Sequence, residues 1–389
     1  MDLPTLNLHD TTVAIAACVR AGRVPLALGP PGIAKTTLAR AIAQSIGEAL
    51  GYPDYPAVIC ILSNRESVDV GGWPVVCADD TVENKLVGSL RIAAERPCLL
   101  ILDEFLTCPQ SVQGPALRLT LERVAGEQPL HEGTRIICLA NNPDEAPGGI
   151  QMTAALANRL VIMKCLPLVT EVADFFEGQP AARFDGGFTL PDEATWTTRK
   201  AQLMSSVGSL FRVLPSLLQL TPPPASINDG EPFASPRAWE ACCDVLSSLD
   251  PQHVAHATPI AHAVISGCVG AGVGIQYLGL LRARLYLPSI QEITQNPLAA
   301  RLPDVNATHD GKAIGRDINF ATIPLLLEAA RVDTAAAWVY ADRLPEEITN
   351  AIAKNLTTNL NIPPGSPWKT QGKDVMFRVG ARLTARTAA

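Results

Sequence analysis

The sequence predicts an α/β fold, with a parallel sheet between helices in the first part of the chain and a helical region after it. Up to about residue 168, short apolar runs alternate with segments that have helical spacing. Beyond that point the strand-like runs fade. Strands that alternate with helices indicate βαβ units around a parallel sheet. A chain of 389 residues is also too long for one small core, so we expect two or three domains.

Five apolar runs are short enough for strands and do not alternate with polar residues, which is typical of parallel strands buried on both faces. They are Val24–Leu28, Ala57–Leu62, Cys98–Leu102, Arg135–Ala140 and Leu160–Lys164. Helices are predicted over residues 11–22, 36–50, 112–124 and 153–158. Turn residues within 74–87 and 124–134 predict two hairpins.

The rest of the chain is predicted to be mostly helical, over residues 195–220, 236–290 and 321–360. We therefore divide the chain into an α/β core, a helical region and a helical C-terminal extension with a basic tail after Pro363. Their predicted ranges are 1–168, 169–295 and 296–389.

Composition excludes several classes of protein. Hydrophobic residues make up 47% of the chain and charged residues 18%, as in a folded protein rather than a disordered one. The net charge of −7 argues against a surface that follows nucleic-acid phosphates. The ten cysteines are scattered without a Cys-x-x-Cys motif, which favours free thiols in the cytoplasm. The first ten residues lack the basic and apolar regions of a signal peptide.

One stretch is long enough to be considered as a membrane span, because no Asp, Glu, Lys or Arg lies between Asp250 and Arg282. It contains prolines, glycines and three histidines, however, so buried helices are the better interpretation. The histidines His253, His256 and His262 have metal-like spacing, but no carboxylate or cysteine lies at a matching interval. We predict neither a membrane span nor a zinc site there.

The clearest chemical motif lies between the first predicted strand and the helix after it. It matches the phosphate-binding pattern Gly-x4-Gly-Lys-Ser/Thr except at Ala34, where the pattern has glycine. We expect alanine to be tolerated because that residue would already be entering the helix. Backbone N–H groups of the loop and Lys35 would bind phosphates, and Thr36 would bind Mg²⁺. The predicted nucleotide-binding residues are Gly29, Pro30, Pro31, Gly32, Ile33, Ala34, Lys35, Thr36 and Thr37.

A second motif is the acidic pair Asp103 and Glu104, which directly follows the third predicted strand. Acids at the carboxyl end of a strand lie where open α/β sheets bind ligands. Asp103 would hold Mg²⁺ through water, and Glu104 would polarise the water that attacks the γ-phosphate. Together with the first motif, these acids predict binding and hydrolysis of ATP with Mg²⁺ as the cofactor.

With these motifs the chain resembles an AAA+ ATPase of the MoxR branch. The segment Gly29–Thr36 is similar to that branch, including its alanine before lysine, and Asp103-Glu104 resembles its Walker B acids. Four later segments are also similar: Pro109–Glu122 to the helix after those acids, Asn141–Pro143 to sensor 1, Leu156–Leu160 to the Leu-x-x-Arg-Phe segment, and Ala234–Ala238 to the sensor 2 motif. Leu160 stands where that branch usually has phenylalanine.

The resemblance implies an AAA+ P-loop αβα sandwich with a five-stranded parallel sheet and a helical lid. It implies that Asn142 orients the attacking water, that Arg237 contacts the γ-phosphate from the lid, and that Arg159 acts on the nucleotide of the neighbouring subunit. Arg118 and Arg123 are the rival candidates for that last role. The two hairpins resemble insertions that line the pore or client face of a ring, so Trp73 and His131 either touch a client or only pack.

We accordingly expect a homo-oligomer, a hexameric ring in particular, that remodels or activates a protein client with a partner carrying a von Willebrand factor A domain. Three alternatives stay open. They are a nucleic-acid motor or restriction- and defence-type AAA+ ATPase, a metal-insertion motor resembling magnesium chelatase, and a scaffold that binds ATP without hydrolysing it. We do not expect nucleic acid among the partners, because the chain is acidic.

Overall fold

The computed structural model describes residues 3–86, 88–145, 152–178, 188–309, 311–345 and 348–349. The chain divides into two compact units. Unit 1 comprises Met1–Lys200, Gln219–Val254 and Thr258–Gly274, and unit 2 comprises Ala201–Leu218, Ala255–Ala257 and Ile275–Ala389. The domain limits predicted from the sequence, at 168/169 and 295/296, stay predictions. The basic tail after Pro363 lies outside the described residues.

The strands and helices lie mostly where the apolar pattern predicts them. The strands are β1 (Thr5–Leu6), β2 (Val24–Leu28), β3 (Ala57–Ile61), β4 (Trp73–Val76), β5 (Val82–Lys85), β6 (Leu99–Asp103), β7 (Val124–Ala125), β8 (Gln128–Pro129), β9 (Arg135–Ala140), β10 (Leu160–Cys165), β11 (Thr308–His309) and β12 (Lys312–Ala313). The helices of the first part are α1 (Leu8–Arg20), α2 (Lys35–Ala41), α3 (Ala43–Ala49), α4 (Ser67–Gly71), α5 (Gly88–Glu95), α6 (Gln110–Glu122), α7 (Ala154–Ala157) and α8 (Val169–Phe176).

The later helices are α9 (Glu193–Val213), α10 (Pro224–Asp229), α11 (Pro236–Ser248), α12 (Pro251–Ala255), α13 (Pro259–Val269), α14 (Ala271–Arg284), α15 (Ile290–Gln295), α16 (Gly315–Val332) and α17 (Thr334–Ala341). Single 3₁₀ turns occur at Phe105–Thr107, Pro143–Glu145 and Pro215–Leu217. The helix predicted over 36–50 is two helices, α2 and α3, which meet at Ile42.

The central sheet of unit 1 has six parallel strands in the order β1-β10-β2-β9-β6-β3. This confirms the α/β fold and the five predicted strands, but the predicted number is one too low. The sixth strand is the edge strand β1, in which Thr5 pairs with Lys164 and Leu6 with Cys165. Two residues are too few to show a periodic pattern, so the sequence gives no signal for it. Because β2, β9 and β6 are parallel neighbours, their carboxyl ends meet at one edge of the sheet.

Helices α1 and α13 pack beside the sheet of unit 1. Asn7 caps α1, since its Oδ1 accepts a 2.7 Å hydrogen bond from the N–H of Asp10. Gly267 of α13 lies so close to β10 that a Cβ there would be 2.0 Å from the carbonyl oxygen of Ile162. The uncharged stretch thus contributes a buried helix, α13, as predicted. Among the described residues, none of the helices has the length and apolar character needed to cross a bilayer.

Both predicted hairpins are present in unit 1, as β4–β5 and β7–β8. All four residues of β4 are exposed, including Trp73 and two valines. The hairpins contact each other. The Nε2 of Gln128 donates a 3.2 Å hydrogen bond to the carbonyl oxygen of Asn84. The turn between β7 and β8 also lies against the end of α4, since a Cβ on Gly126 would be 2.3 Å from the carbonyl oxygen of Gly71.

Unit 2 is mainly helical in the part that the structure describes. Its longest helix is α16, which is buried along most of its length. An ion pair at 2.6 Å joins Arg284 of α14 to the buried Glu328 of α16. Tyr340 donates a 2.7 Å hydrogen bond to the carbonyl oxygen of Arg301, which holds α17 to the loop between α15 and β11.

Candidate functional site

The glycine-rich loop predicted to bind phosphate connects the end of β2, at Leu28, to the start of α2, at Lys35. Gly29 has no room for a side chain, because a Cβ there would be 2.5 Å from the carbonyl oxygen of Cys165. Gly32 has a φ of +80°, a conformation that residues with a Cβ rarely adopt. Both glycines of the motif are therefore required by the backbone path.

Ala34 does not have the helical conformation that we expected for it. Its φ of 66° and ψ of 28° place it in the left-handed region, as the residue before the first turn of α2. This conformation costs a residue with a Cβ about 1–2 kcal/mol. The prediction that alanine is comfortable here is therefore wrong, and glycine in the general pattern avoids the strain that Ala34 carries.

Lys35 directs its ammonium group back over the loop. It donates hydrogen bonds to the carbonyl oxygens of Gly29 and Pro30, each at 2.8 Å, and to Oδ1 of Asn141 at 3.0 Å. Burial lowers the pKa of Lys35, and the nearby Asp103 and Glu145 oppose that shift. Asn141 is not among the site residues predicted from the sequence, although its position directly after β9 was the available signal.

Thr36 and Asp103 are in direct contact. The Thr36 hydroxyl donates a 2.6 Å hydrogen bond to Oδ2 of Asp103, which joins the first turn of α2 to the end of β6. A hydroxyl and a carboxylate are hard oxygen ligands, and Mg²⁺ is usually held by one or two protein oxygens together with phosphates and water. These two side chains therefore fit Mg²⁺. No group of three or more His, Cys, Asp or Glu side chains suited to a metal occurs in the described ranges.

Glu104 follows Asp103 and is exposed, with a φ of 56° in the left-handed region. Its carboxylate accepts a hydrogen bond from the hydroxyl of Ser63, which comes after the neighbouring strand β3. A strained conformation at a carboxylate beside a binding loop is typical of functional sites. Ser63 was missed in the sequence, because only the pairing of β3 with β6 brings it to Glu104.

Asn142 lies two residues beyond the end of β9 and begins a 3₁₀ turn. The N–H of Glu145 donates a 2.9 Å hydrogen bond to its carbonyl oxygen. Its side-chain Nδ2 donates a 3.0 Å hydrogen bond to Oε2 of Glu145. Asn142 and Glu145 both line a cleft of about 590 Å³ beside Pro30 of the loop, with Thr5, Lys164 and Glu231 in its other walls. Small-molecule sites have volumes of this size.

Two arginines predicted for the site, Arg159 and Arg237, make no hydrogen bond or ion pair with the glycine-rich loop among the described residues. Arg159 and Arg237 are both exposed, and neither guanidinium has a hydrogen-bond or ion-pair partner there. Their segments are joined, because Ser235 donates a 2.5 Å hydrogen bond from Oγ to Oδ1 of Asn158. Ser235 also caps α11 by accepting a hydrogen bond from Ala238 N–H at 3.1 Å.

The rival arginines have local partners instead. Arg118 pairs with Glu122 at 2.9 Å and donates a 2.6 Å hydrogen bond to the carbonyl oxygen of Gly126. Arg123 donates hydrogen bonds to the carbonyl oxygens of His131 and Thr134, at 3.0 and 2.7 Å. Both side chains thus hold the β7–β8 hairpin, whereas the guanidinium groups of Arg159 and Arg237 have no such partner among the described residues.

A family model matches the region that contains the loop and the acidic strand end. Residues 25–160 match the family model of the ATPase family associated with various cellular activities, AAA. A Lon protease from Leptospira interrogans is 29% identical over 107 residues, which are 28% of this chain and 12% of that protein's length. The chain thus matches only a small part of this curated relative.

A crystal structure of a candidate ATPase from Cytophaga hutchinsonii is also similar. Its sequence identity is 14% and its TM-score 0.39, over 65% of this chain and 78% of the other. The family match extends from β2 to the start of β10, so it includes the glycine-rich loop, Asp103, Glu104, Asn142 and Arg159, whereas Arg237 lies beyond it. The segment from residue 25 to residue 160 is an AAA ATPase family domain.

Proposed function

We propose that this protein is a MoxR-type AAA+ ATPase, which binds ATP with Mg²⁺ and hydrolyses it in an oligomeric ring. The observation that supports this most is the hydrogen bond between Thr36 and Asp103. It joins the glycine-rich loop to the acidic strand end, and this supports a shared site for Thr36, Asp103 and Glu104 at one edge of the sheet.

Each residue of the site has a defined role in this proposal. Lys35 leaves its carbonyl partners to bind the β- and γ-phosphates, while the loop N–H groups bind phosphate oxygens. Thr36 would hold Mg²⁺ directly and Asp103 would hold it through water, and the bound ion would supply neutralisation of charge on the phosphate oxygens. Glu104 accepts a hydrogen bond from the attacking water and polarises it.

Three further side chains complete the proposed site. Asn142 holds the attacking water from the end of β9. Arg237 stabilises the γ-phosphate charge from the same subunit, and Arg159 does so from the neighbouring subunit. The exposure of both guanidinium groups supports roles toward another molecule. Because one arginine comes from a neighbour, hydrolysis depends on assembly.

The biological role rests on the resemblance to the MoxR branch. We propose a cytoplasmic homo-oligomer, with a hexamer as the specific expectation, that remodels a protein client together with a partner carrying a von Willebrand factor A domain. The exposed apolar residues of β4 are consistent with contact to a protein. The acidic net charge weighs against a nucleic-acid motor.

Nucleotide binding and turnover test the proposal directly. The wild-type protein is expected to hydrolyse ATP only with Mg²⁺. Lys35→Ala is expected to weaken ATP binding at least about tenfold, because a charge-assisted bond to phosphate is worth about 1.5–3 kcal/mol. The matched control is Lys312→Ala, which removes an exposed lysine of β12. Binding without turnover in the wild type would favour a nucleotide-switched scaffold, and equal affinity in both variants would contradict the phosphate-binding role.

A further inference from the structure

We infer that Glu145 is a positioning residue for ATP hydrolysis, which fixes the orientation of the Asn142 side-chain amide. The inference rests on the proposed function, because Asn142 acts on the attacking water only if the site hydrolyses ATP. Glu145 is not part of the phosphate-binding motif, of the acidic strand end or of the predicted arginines.

The geometry of the turn after β9 supports this role. The 3₁₀ turn Pro143–Glu145 begins at Asn142, and its backbone hydrogen bond at 2.9 Å brings residue 145 back over residue 142. The Glu145 carboxylate then accepts a 3.0 Å hydrogen bond from Asn142 Nδ2. Both side chains line the cleft beside Pro30, so the contact is made at the site itself and not behind it.

The chemistry of the two groups determines which way the amide faces. A terminal amide torsion is broad and nearly two-fold, so a free asparagine presents its oxygen and its nitrogen about equally. An ionised carboxylate has no proton to donate and can only accept. Glu145 therefore binds the nitrogen end of the Asn142 amide and leaves Oδ1 for a donor in the cleft, such as a water O–H.

The position of Glu145 also carries a cost that a purely structural turn residue would not require. Glu145 lines the same cleft as Pro30, whose carbonyl oxygen accepts a 2.8 Å hydrogen bond from the Lys35 ammonium. A negative charge near a phosphate-binding lysine disfavours an incoming polyphosphate. The orientation of the Asn142 amide offsets this repulsion. A neutral residue at position 145 would close the same turn without repelling the polyphosphate.

A double-mutant cycle between Glu145 and Asn142 separates this role from a structural one. The proteins are the wild type, Asn142→Ala, Glu145→Ala, the double variant and Glu145→Gln, and each is measured for kcat, KM and ATP affinity. Glu95→Ala removes an exposed carboxylate of α5 and is the control. Glutamine accepts the same hydrogen bond but also donates, so it orients the amide only in part.

We expect Glu145→Ala to lower kcat about fivefold and to change KM less than about twofold, as for the loss of one orienting hydrogen bond. In the Asn142→Ala background the same change should alter kcat less than about 1.5-fold, and Glu145→Gln should recover about half of the loss. An equal loss in both backgrounds, an effect on KM alone, or no loss in kcat overturns the inference. If the wild type has no ATPase activity, the proposed function is overturned as well. If the wild type is active and Glu145→Ala has the same kcat, only the inference about Glu145 is overturned.

Discussion

The hydroxyl of Thr36 lies 2.6 Å from Oδ2 of Asp103, and this hydrogen bond joins the two motifs that the sequence separates by more than 60 residues. The contact follows from the topology. Strands β2 and β6 both flank β9 and run in the same direction, so the loop after β2 and the acid at the end of β6 meet at one edge. The glycine-rich loop is thereby connected to the acidic strand end by a direct hydrogen bond.

Thr36→Ala is expected to weaken Mg²⁺-dependent ATP binding at least about tenfold, because it removes the hydroxyl proposed to bind the ion directly. Thr36→Ser keeps the hydroxyl and should stay within about threefold of the wild type. Isothermal titration with ATP in Mg²⁺ and in EDTA measures the difference. If Thr36→Ala binds Mg·ATP as tightly as the wild type does, the hydroxyl is not an ion ligand.

Ala34→Gly is expected to raise the free energy of unfolding by about 0.5–1 kcal/mol. Relief of the left-handed strain contributes about 1–2 kcal/mol, and the greater entropy of unfolded glycine offsets part of that gain. Ala41→Gly, at an exposed position in α2, is the control and should lower stability by about 0.5–1 kcal/mol. Urea unfolding of both variants gives the comparison. Equal destabilisation by the two glycines would show that Ala34 is not strained.

Ser63→Ala is expected to raise the basal kcat for ATP about threefold without a change in KM. Removal of the hydroxyl frees an oxygen of Glu104 that Ser63 now occupies, so the carboxylate is more available to the attacking water. Ser63→Thr retains a hydroxyl and should match the wild type. Steady-state kinetics measure both variants, and a lower kcat in Ser63→Ala would mean that Ser63 instead holds Glu104 in its active position.

Arg159→Ala is expected to lose at least about 100-fold in kcat while it retains ATP binding, because an arginine supplied in trans acts on the transition state. Arg118→Ala is the matched control, since that side chain already binds Glu122 and the Gly126 carbonyl oxygen. Mixing Arg159→Ala with a Lys35→Ala protein should restore part of the activity in mixed assemblies. Absence of any complementation in confirmed mixed assemblies would argue that Arg159 acts within its own subunit.

The parts of the fold that follow from local pattern were predictable from the sequence. Buried parallel strands such as Val24–Leu28 and Arg135–Ala140 show as unbroken apolar runs, and the two motifs follow such runs directly. The strand Thr5–Leu6 was not predictable, because its two residues exist as a strand only by pairing with β10.

Contacts between the ends of different strands were also not predictable from the sequence. The hydrogen bonds from Lys35 to Asn141 and from Ser63 to Glu104 depend on strand order and register, which no local pattern contains. The left-handed conformation of Ala34 was missed for a different reason. The helix propensity of alanine favours it within α2, whereas the position before the helix requires the backbone freedom of glycine.

The central claim, that Glu104 activates the water that hydrolyses ATP, is tested most directly by Glu104→Gln. This variant keeps the size of the side chain and its hydrogen bond to Ser63 but removes the negative charge. We predict at least about a 100-fold fall in kcat, with ATP affinity within about threefold of the wild type and retention of unhydrolysed ATP. Glu95→Gln on α5 should leave both quantities unchanged. Hydrolysis by Glu104→Gln at the wild-type rate would contradict the account.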